Sequence, residues 1–227
     1  MSDPATRHPI GSLTGFDFRR KITTMAALAL ALYVVFLVGG FALREVVHRR
    51  MTGASGINGV LSGRPGSAVW WAGLVLVLST VLCIAAPIVQ LSGLDPVSAL
   101  VTPPIQIAGI VLAVLGFLGT VVAQHIMGPS WRVGVDPDET TGLVTRGAFA
   151  IVRNPVFTST VVCFLGLTLM VPNIIALIGF IGLLIAVELQ VRVVEEPYLR
   201  RTHGEAYIGY GREVGRFLPG VGRFGNQ

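Results

Sequence analysis

The run 155–187, PVFTSTVVCFLGLTLMVPNIIALIGFIGLLIAV, decides the fold of this chain. It belongs to a segment of 34 residues, Asn154–Val187, that contains no Asp, Glu, Lys or Arg. The run is too long for one membrane-spanning helix, and the triplet VPN at 171–173 divides it with residues that favour a turn. We therefore predict a tight helical hairpin, with one span near 156–170 and the next near 174–191.

Three further apolar runs precede the hairpin, at Ile22–Leu43, within Ala68–Leu91 and at about Pro104–Met127. Each is long enough to cross a bilayer. The chain is 52% hydrophobic and only 13% charged, and its mean hydropathy is +0.73. The sequence thus predicts an all-α integral membrane protein with about five transmembrane helices. Residues 1–100 would hold the first two spans, and residues 101–227 would hold span three, a cytoplasmic loop, the hairpin and a C-terminal helical cap.

Basic residues are distributed unequally between the two sides of these spans. The N-terminal side carries 4 Lys and Arg residues and the other side carries 13. Because cytoplasmic loops are enriched in Lys and Arg, we expect the C-terminus in the cytoplasm and the N-terminus outside, in a bacterial inner membrane. The run RRK before the first span resembles the start of a signal peptide, but the apolar run is too long for one and is interpreted as a retained span.

Cysteine and histidine indicate neither a disulfide framework nor a metal site. Cys83 and Cys163 lie in separate apolar runs, and the four His residues show no metal-ligand spacing. No internal repeat of useful length is visible, so an inverted-repeat transporter is not supported. The polar chemistry is confined to two segments on the predicted cytoplasmic side, the loop 128–153 and the tail after 187.

The tail begins with acidic and basic residues at helical spacing. Glu188, Arg192 and Glu196 are four residues apart, so a helix places them on one face, where neighbours can pair. Pro197 is expected to kink or end that helix. The spacing leaves two interpretations open, a salt-bridge ladder at the membrane edge and a functional site.

The loop leads into the hairpin through Arg153, Asn154 and Pro155. Proline fits the first turn of a helix, and the free N–H groups near Val156 and Phe157 can then hold a carboxylate. An ordinary arginine anchor at a helix start explains the same residues.

Taken in order around the hairpin, these motifs resemble the isoprenylcysteine carboxyl methyltransferase family, relatives of the phospholipid methyltransferases. The resemblance covers roughly 128–220, about 40% of the chain. The matching motifs are Leu143-Val144, Gly147-x-Phe149, Arg153-Asn154-Pro155-x-Phe157, Glu195-Glu196-x-x-Leu199, His203-Gly204-x-x-Tyr207-x-x-Tyr210 and Arg216-Phe217-Leu218-Pro219. Asn154 stands where the family has His, and Phe149 and Phe157 stand where it has Tyr.

The resemblance implies that S-adenosylmethionine binds between the cytoplasmic loop and the last helices. Arg192 matches the arginine that the family places near the substrate carboxylate. A carboxylate acceptor needs no base, whereas an amine or phenol would use Glu188 or Glu195. No metal is expected. The cofactor-binding residues that the resemblance implies are Thr141, Gly142, Leu143, Val144, Phe149, Asn154, Pro155, Phe157 and Glu196.

The function we predict is methyl transfer from S-adenosylmethionine to a membrane lipid or a lipidated small molecule or protein, with no nucleic acid involved. The polar tail would form a lid over the cytoplasmic mouth. One alternative is an NADPH-dependent membrane reductase with a similar helical cradle, although Asp136, Asp138 and Glu139 disfavour an extra phosphate. Another is a small membrane scaffold or transporter that binds no nucleotide-like ligand.

Overall fold

The structure is a computed structural model that describes residues 10–57, 60–61, 63–131 and 142–225. Within these ranges the chain forms helices and turns and no β-strand, which confirms the all-α fold class. The helices are α1 Ile10–Leu37, α2 Leu43–Thr52, α3 Ala68–Leu91, α4 Pro103–Met127, α5 Pro155–Met170, α6 Ile174–Leu189, α7 Glu196–His203 and α8 Glu205–Glu213.

Four helical segments are long and apolar enough to cross a membrane, namely Asp17–Thr52, Ala68–Leu91, Pro103–Ser130 and Ile174–His203. α5 is the shorter fifth apolar helix. Its 16 residues span about 24 Å at 1.5 Å per residue, less than the roughly 30 Å of the hydrocarbon layer. All five predicted spans are therefore present as helices, and α5 differs from the others in length.

The turn between α5 and α6 is fixed by one buried side chain. The Asn173 carboxamide oxygen accepts a hydrogen bond from Ala176 N at 3.0 Å and so caps α6. Its amide nitrogen donates to Ala86 O at 3.0 Å and to Gln90 Oε1 at 3.1 Å, both on α3. Asn173 therefore fixes the turn of the hairpin and also attaches the hairpin to α3. These hydrogen bonds satisfy both the oxygen and the nitrogen of a carboxamide that is buried from water.

The two hairpin helices pack mainly against other helices, and less against each other. α5 lies along α4 and α6 lies along α3. Glycine makes the first of these contacts close: a Cβ built on Gly116 would lie 2.3 Å from Cys163 N, and one on Gly166 would lie 2.3 Å from Ala113 N. Small residues at such contacts let membrane helices approach backbone to backbone.

The polar tail begins with a helix that does not end at Pro197. After α6 the chain makes a wider π-helical turn at Gln190–Glu195 and continues as α7 to His203, where Gly204 ends it with φ of 53°. Of the salt-bridge ladder that the spacing of Glu188, Arg192 and Glu196 allowed, only the first pair forms. Arg192 Nε pairs with Glu188 at 2.5 Å, but Glu196 turns away to other arginines because a π turn adds a residue and rotates the helix after it.

Candidate functional site

A cavity of about 420 Å³ extends from the membrane-spanning helices to the polar segments. Its apolar end lies between α1, α3 and α6, and its polar end lies beneath the segment 142–157 and α7–α8. The apolar lining includes Phe36, Leu37, Phe41, Leu76, Val77, Val81, Phe164, Leu183 and Val187. The polar end includes Ser130, Trp131, Arg153, Asn154, Gln190, Glu195, Tyr198, Tyr207 and Tyr210.

Most of the residues that the sequence singled out meet at this cavity. Glu196 is buried, at 6% exposed, behind the wall and outside the lining. Glu188 and Arg192 pair with each other on the exposed side of the helix and are also outside the lining. Thr141 lies outside the described residues. The expected site residues that do line the cavity are Gly142, Leu143, Val144, Phe149, Asn154, Pro155, Phe157 and Glu195.

Glu196 lies between two arginines, Arg153 from the loop and Arg216 from the C-terminal segment. Arg153 Nη2 is 3.0 Å from Glu196 Oε1, and Arg216 reaches both carboxylate oxygens, at 2.7 and 3.1 Å. The hydrogen bond to Glu196 raises the pKa of Arg216 above its ordinary value, although burial opposes the shift. We call these three residues the arginine latch, because their contacts tie three separated segments of the chain together.

The backbone reinforces the latch. Arg153 N donates to Gly215 O at 2.8 Å, and Asn154 N donates to Arg216 O at 3.1 Å. The Asn154 side chain donates to the same Arg216 carbonyl at 3.2 Å, and Thr158 Oγ1 donates to Phe217 O at 3.0 Å. The C-terminal segment therefore holds the beginning of α5 in place.

An aromatic ring completes this side of the site. Phe224 lies 4.4 Å from the Arg153 guanidinium and 4.1 Å from that of Arg200. Its backbone N–H donates to Gly211 O at 2.9 Å. A ring between two guanidinium groups contributes cation–π attraction, which is greater where the cation is desolvated. Arg153 is only 4% exposed, so the interaction stabilises a buried charge.

Tyr210 fixes the loop from α8. Its hydroxyl donates to Phe149 O at 2.5 Å, and Phe149 lines the cavity. Burial raises the pKa of Tyr210 to about 12 and also raises the pKa of Tyr207. Both phenols are therefore neutral at physiological pH, and neither is a ready proton acceptor.

The opposite wall depends on Trp131, which is 1% exposed. The Arg44 guanidinium lies 5.2 Å from its ring and donates to Gly128 O, while the His48 ring meets it edge-on at 5.6 Å. A Cβ on Gly56 would lie 2.6 Å from the indole. α2 and the turn after it thus hold Trp131 against the wall of the cavity.

Hydrogen-bond donors remain available at the beginning of α5. The first turn of a helix leaves N–H groups without intrahelical partners, and Pro155 at that position has none to lose. The buried Nε of Arg153 also has no hydrogen-bond partner within the described residues, although Arg153 lines the cavity. An anion that binds here would meet donors that are already oriented.

Several site residues were not predicted from the sequence. Tyr207, Tyr210 and Arg216 belong to the C-terminal motifs, so a signal existed for them although they were not assigned to the site. Phe36, Phe41, Leu76 and Val81, by contrast, lie in apolar helices with no motif. A helix that is apolar on all sides does not reveal which face borders a cavity.

Comparison with known proteins shows which family the chain is similar to. Residues 105–206 match the model of the phospholipid methyltransferase family. No curated protein and no solved structure matches the chain. The matched segment contains nearly all of α4, the loop, the hairpin and α7, so it carries most of the polar end of the cavity, while Tyr207 and Tyr210 follow it. Residues 105–206 of this integral membrane protein are therefore similar to the phospholipid methyltransferase family, which is related to the isoprenylcysteine carboxyl methyltransferases.

Proposed function

We propose that this protein is an S-adenosylmethionine-dependent membrane methyltransferase with a lipid-like or prenylated acceptor, for example one that carries a carboxylate. One observation carries the proposal. A single cavity joins the loop and tail residues of the methyltransferase domain to an apolar space between membrane-spanning helices. Such a shape suits a reaction between a polar cofactor and an acceptor with an apolar tail.

The residues at the polar end fit S-adenosylmethionine by charge and shape. The cofactor has a carboxylate, an ammonium, a sulfonium and an adenine ring. The cavity offers cationic and N–H donors at Arg153 and the beginning of α5, a carboxylate at Glu195, and aromatic rings at Phe149 and Phe157. Aromatic faces suit both adenine and a sulfonium cation. One carboxylate and one arginine beside aromatic rings support a zwitterionic cofactor over a dinucleotide with several phosphates.

When bound, the cofactor supplies a methyl group whose carbon–sulfur bond breaks, with the electron pair left on sulfur, as the acceptor's lone pair forms the new bond. The protein's part is to align the two reactants and to exclude water. An amine or hydroxyl acceptor must also lose a proton. Of the two candidate bases, Glu195 lines the cavity and Glu188 does not. A carboxylate acceptor requires neither.

The acceptor's apolar part would occupy the space between α1, α3 and α6. Val81 lines it and lies 13 residues after Ala68, about 20 Å along the helix axis from the beginning of α3. Phe36 and Leu183 line the same space from α1 and α6. An acceptor with only a head group would leave this space unfilled, so a lipid-like acceptor uses the cavity best.

Calorimetry on the purified protein in detergent tests the proposal, with S-adenosylhomocysteine in one titration and NADPH in another. We expect saturable binding of S-adenosylhomocysteine and none of NADPH. Binding of NADPH alone would indicate the membrane reductase. Binding of neither ligand by folded protein would favour a scaffold or transporter.

Arg192 is proposed to receive an acidic head group at the membrane edge before the acceptor enters the cavity. It is exposed over 58% of its side chain and lies one turn before Glu196. Because a guanidinium holds a carboxylate or phosphate by two parallel bonds, Arg192→Gln should raise KM for an acidic acceptor about tenfold. Affinity for S-adenosylhomocysteine should stay unchanged. A parallel fall in that affinity would place Arg192 at the cofactor instead.

The membrane orientation is a further prediction. The 4-to-13 distribution of basic residues predicts that the C-terminus, the loop and the latch lie on the cytoplasmic side. A reporter that is active only in the cytoplasm should therefore be active when fused after Gln227. A reporter that is active only outside should be inactive there, and the opposite pair of results would reverse the orientation.

A further inference from the structure

We propose that Gln190 binds the head group of the acceptor inside the cavity, and that it is a specificity-determining residue which selects an oxygen head group, a hydroxyl or a carboxylate. The inference rests on the proposed function and names the chemical class of its acceptor. It is carried by the burial of Gln190, by its unpaired carboxamide and by its position along the cavity wall.

Gln190 is a buried polar residue whose side chain the protein leaves unpaired. It is 5% exposed and lines the cavity. Its carboxamide makes no hydrogen bond to any residue that the structure describes, whereas the buried carboxamides of Asn154 and Asn173 donate to backbone carbonyls. Gln124 also has an unpaired amide nitrogen, but it lies outside the lining. Because unpaired polar groups are unfavourable when buried, a ligand in the cavity is the natural partner of Gln190.

Gln190 is the first polar residue on the cavity wall along α6 and the π-helical turn after it. Leu183 and Val187 line the cavity seven and three residues before it, a spacing that keeps all three on one helix face. The lining residues that follow include Glu195 and Tyr198. An acceptor whose apolar tail lies beside Leu183 would therefore bring its head group to Gln190, about 10 Å further along the helix axis.

The π-helical turn at Gln190–Glu195 explains how both of its end residues reach the cavity. In an α-helix, residues five apart point about 140° away from each other, so only one of these two side chains would face the cavity. A π turn forms its hydrogen bonds between residues i and i+5, which brings such residues towards one side. Gln190 and Glu195 accordingly both line the cavity. Single π-helical turns of this kind are frequent at functional sites.

A neutral carboxamide suits an oxygen head group better than an amine. Its N–H groups donate to one lone pair of a hydroxyl or carboxylate oxygen, and another lone pair of that oxygen stays free to attack the methyl group. An amine nitrogen has a single lone pair, which the same hydrogen bond would occupy. The protonated amine is a cation, and a buried cation needs a counter-charge that Gln190 does not provide.

Calorimetry tests the assignment with four compounds that share one farnesyl chain. Farnesol and farnesoic acid carry oxygen head groups, farnesylamine carries an amine and farnesene carries no head group. Each would be titrated into the full chain in detergent with S-adenosylhomocysteine present, and empty micelles would serve as the blank. Gln190→Leu should weaken binding of farnesol or farnesoic acid about fivefold or more, as the loss of a hydrogen bond predicts, and leave farnesene unchanged.

Gln190→Glu distinguishes the two oxygen head groups. A carboxylate at this position still accepts a hydrogen bond from the hydroxyl of farnesol, whereas it repels the carboxylate of farnesoic acid. A site for an alcohol would therefore keep farnesol in this variant, and a site for an acid would lose farnesoic acid. Gln106→Leu is the matched control, since it removes a carboxamide from the beginning of α4, away from this cavity, and should change no binding.

Thermal unfolding separates recognition of a ligand from a structural role. Because the Gln190 carboxamide has no partner among the residues that the structure describes, Gln190→Leu should leave the melting temperature unchanged or raise it. A carboxamide that holds the fold together would instead lower the melting temperature when it is removed. A lower melting temperature, together with weaker binding of all four compounds, would overturn the assignment.

Other results would also contradict it. Unchanged binding of both oxygen-headed compounds in Gln190→Leu would mean that no head group reaches this residue, and a loss confined to farnesylamine would make this an amine site. Binding of S-adenosylhomocysteine without any of the four compounds would refute this site alone. If the unaltered protein does not bind S-adenosylhomocysteine but still selects an oxygen head group through Gln190, the proposed function fails and this site stands.

Discussion

Replacing Arg153 with methionine is expected to lower the free energy of unfolding by about 3–5 kcal/mol, the usual cost of removing one partner from a buried ion pair. Arg153 is 4% exposed and donates to Glu196 and to the carbonyls of Gly211, Val214 and Gly222. Methionine fills similar volume but provides no donor. Thermal unfolding in detergent and proteolysis of the C-terminal segment would measure the loss.

Arg192→Met is the control for this experiment. It removes the same charge from an ion pair whose side chains are 58% and 47% exposed. Exposed pairs contribute about 0.2–1 kcal/mol, so the control should melt close to the unaltered protein. Equal melting temperatures for the two variants would show that the latch contributes little to stability. Arg153→Lys should lower the stability nearly as much as Arg153→Met does, because an ammonium group cannot reproduce the four contacts of the guanidinium.

The spans could be predicted from sequence because each lies in a long run without charge, and four of the five helices are long enough to cross a bilayer. The turn at Asn173 was also predictable, since asparagine beside proline favours turns. What the sequence did not indicate is that Asn173 also binds α3. Contacts between helices depend on how apolar faces are paired, and uniformly apolar helices do not encode that pairing in their periodicity.

The prediction that Glu188, Arg192 and Glu196 share one helix face was wrong for Glu196, and the reason is local. A regular spacing of four holds only while the helix keeps 3.6 residues per turn, and the π-helical turn at Gln190–Glu195 interrupts it. The same turn precedes Pro197, at a point where a proline cannot make the ordinary helical bond. Pro197 indicated that the helix is irregular here, but it did not indicate that the irregularity is a π-helical turn.

The polar end of the cavity was largely predictable, because its residues lie in motifs with a recognisable order. The distinction between Glu195 and Glu196 was not. Two adjacent acids look equivalent in sequence, and only the fold shows that Glu196 pairs with Arg216, which is 20 residues further on. Long-range ion pairs of this kind arise from the fold and leave no local pattern.

Replacing Gly116 with alanine is expected to destabilise the protein by about 1–3 kcal/mol, as overpacking usually does. The added methyl group would lie 2.3 Å from Cys163 N and 2.6 Å from its Cα, which are backbone atoms that no side-chain rotation can move. α5 must therefore shift away from α4. Alanine favours a helix over glycine by about 1 kcal/mol, so the net change understates the cost of the clash.

Gly119→Ala on the same helix is the matched control. Its methyl group would meet the Ser159 hydroxyl at 2.7 Å and Ser159 Cβ at 3.2 Å, and a serine hydroxyl can rotate away. This variant should be nearly neutral in thermal unfolding. Because α5 begins with the cavity residues Asn154, Pro155 and Phe157, Gly116→Ala should also weaken S-adenosylhomocysteine binding while Gly119→Ala does not. If both variants melt alike, then α4 and α5 are not packed as closely as their glycines require.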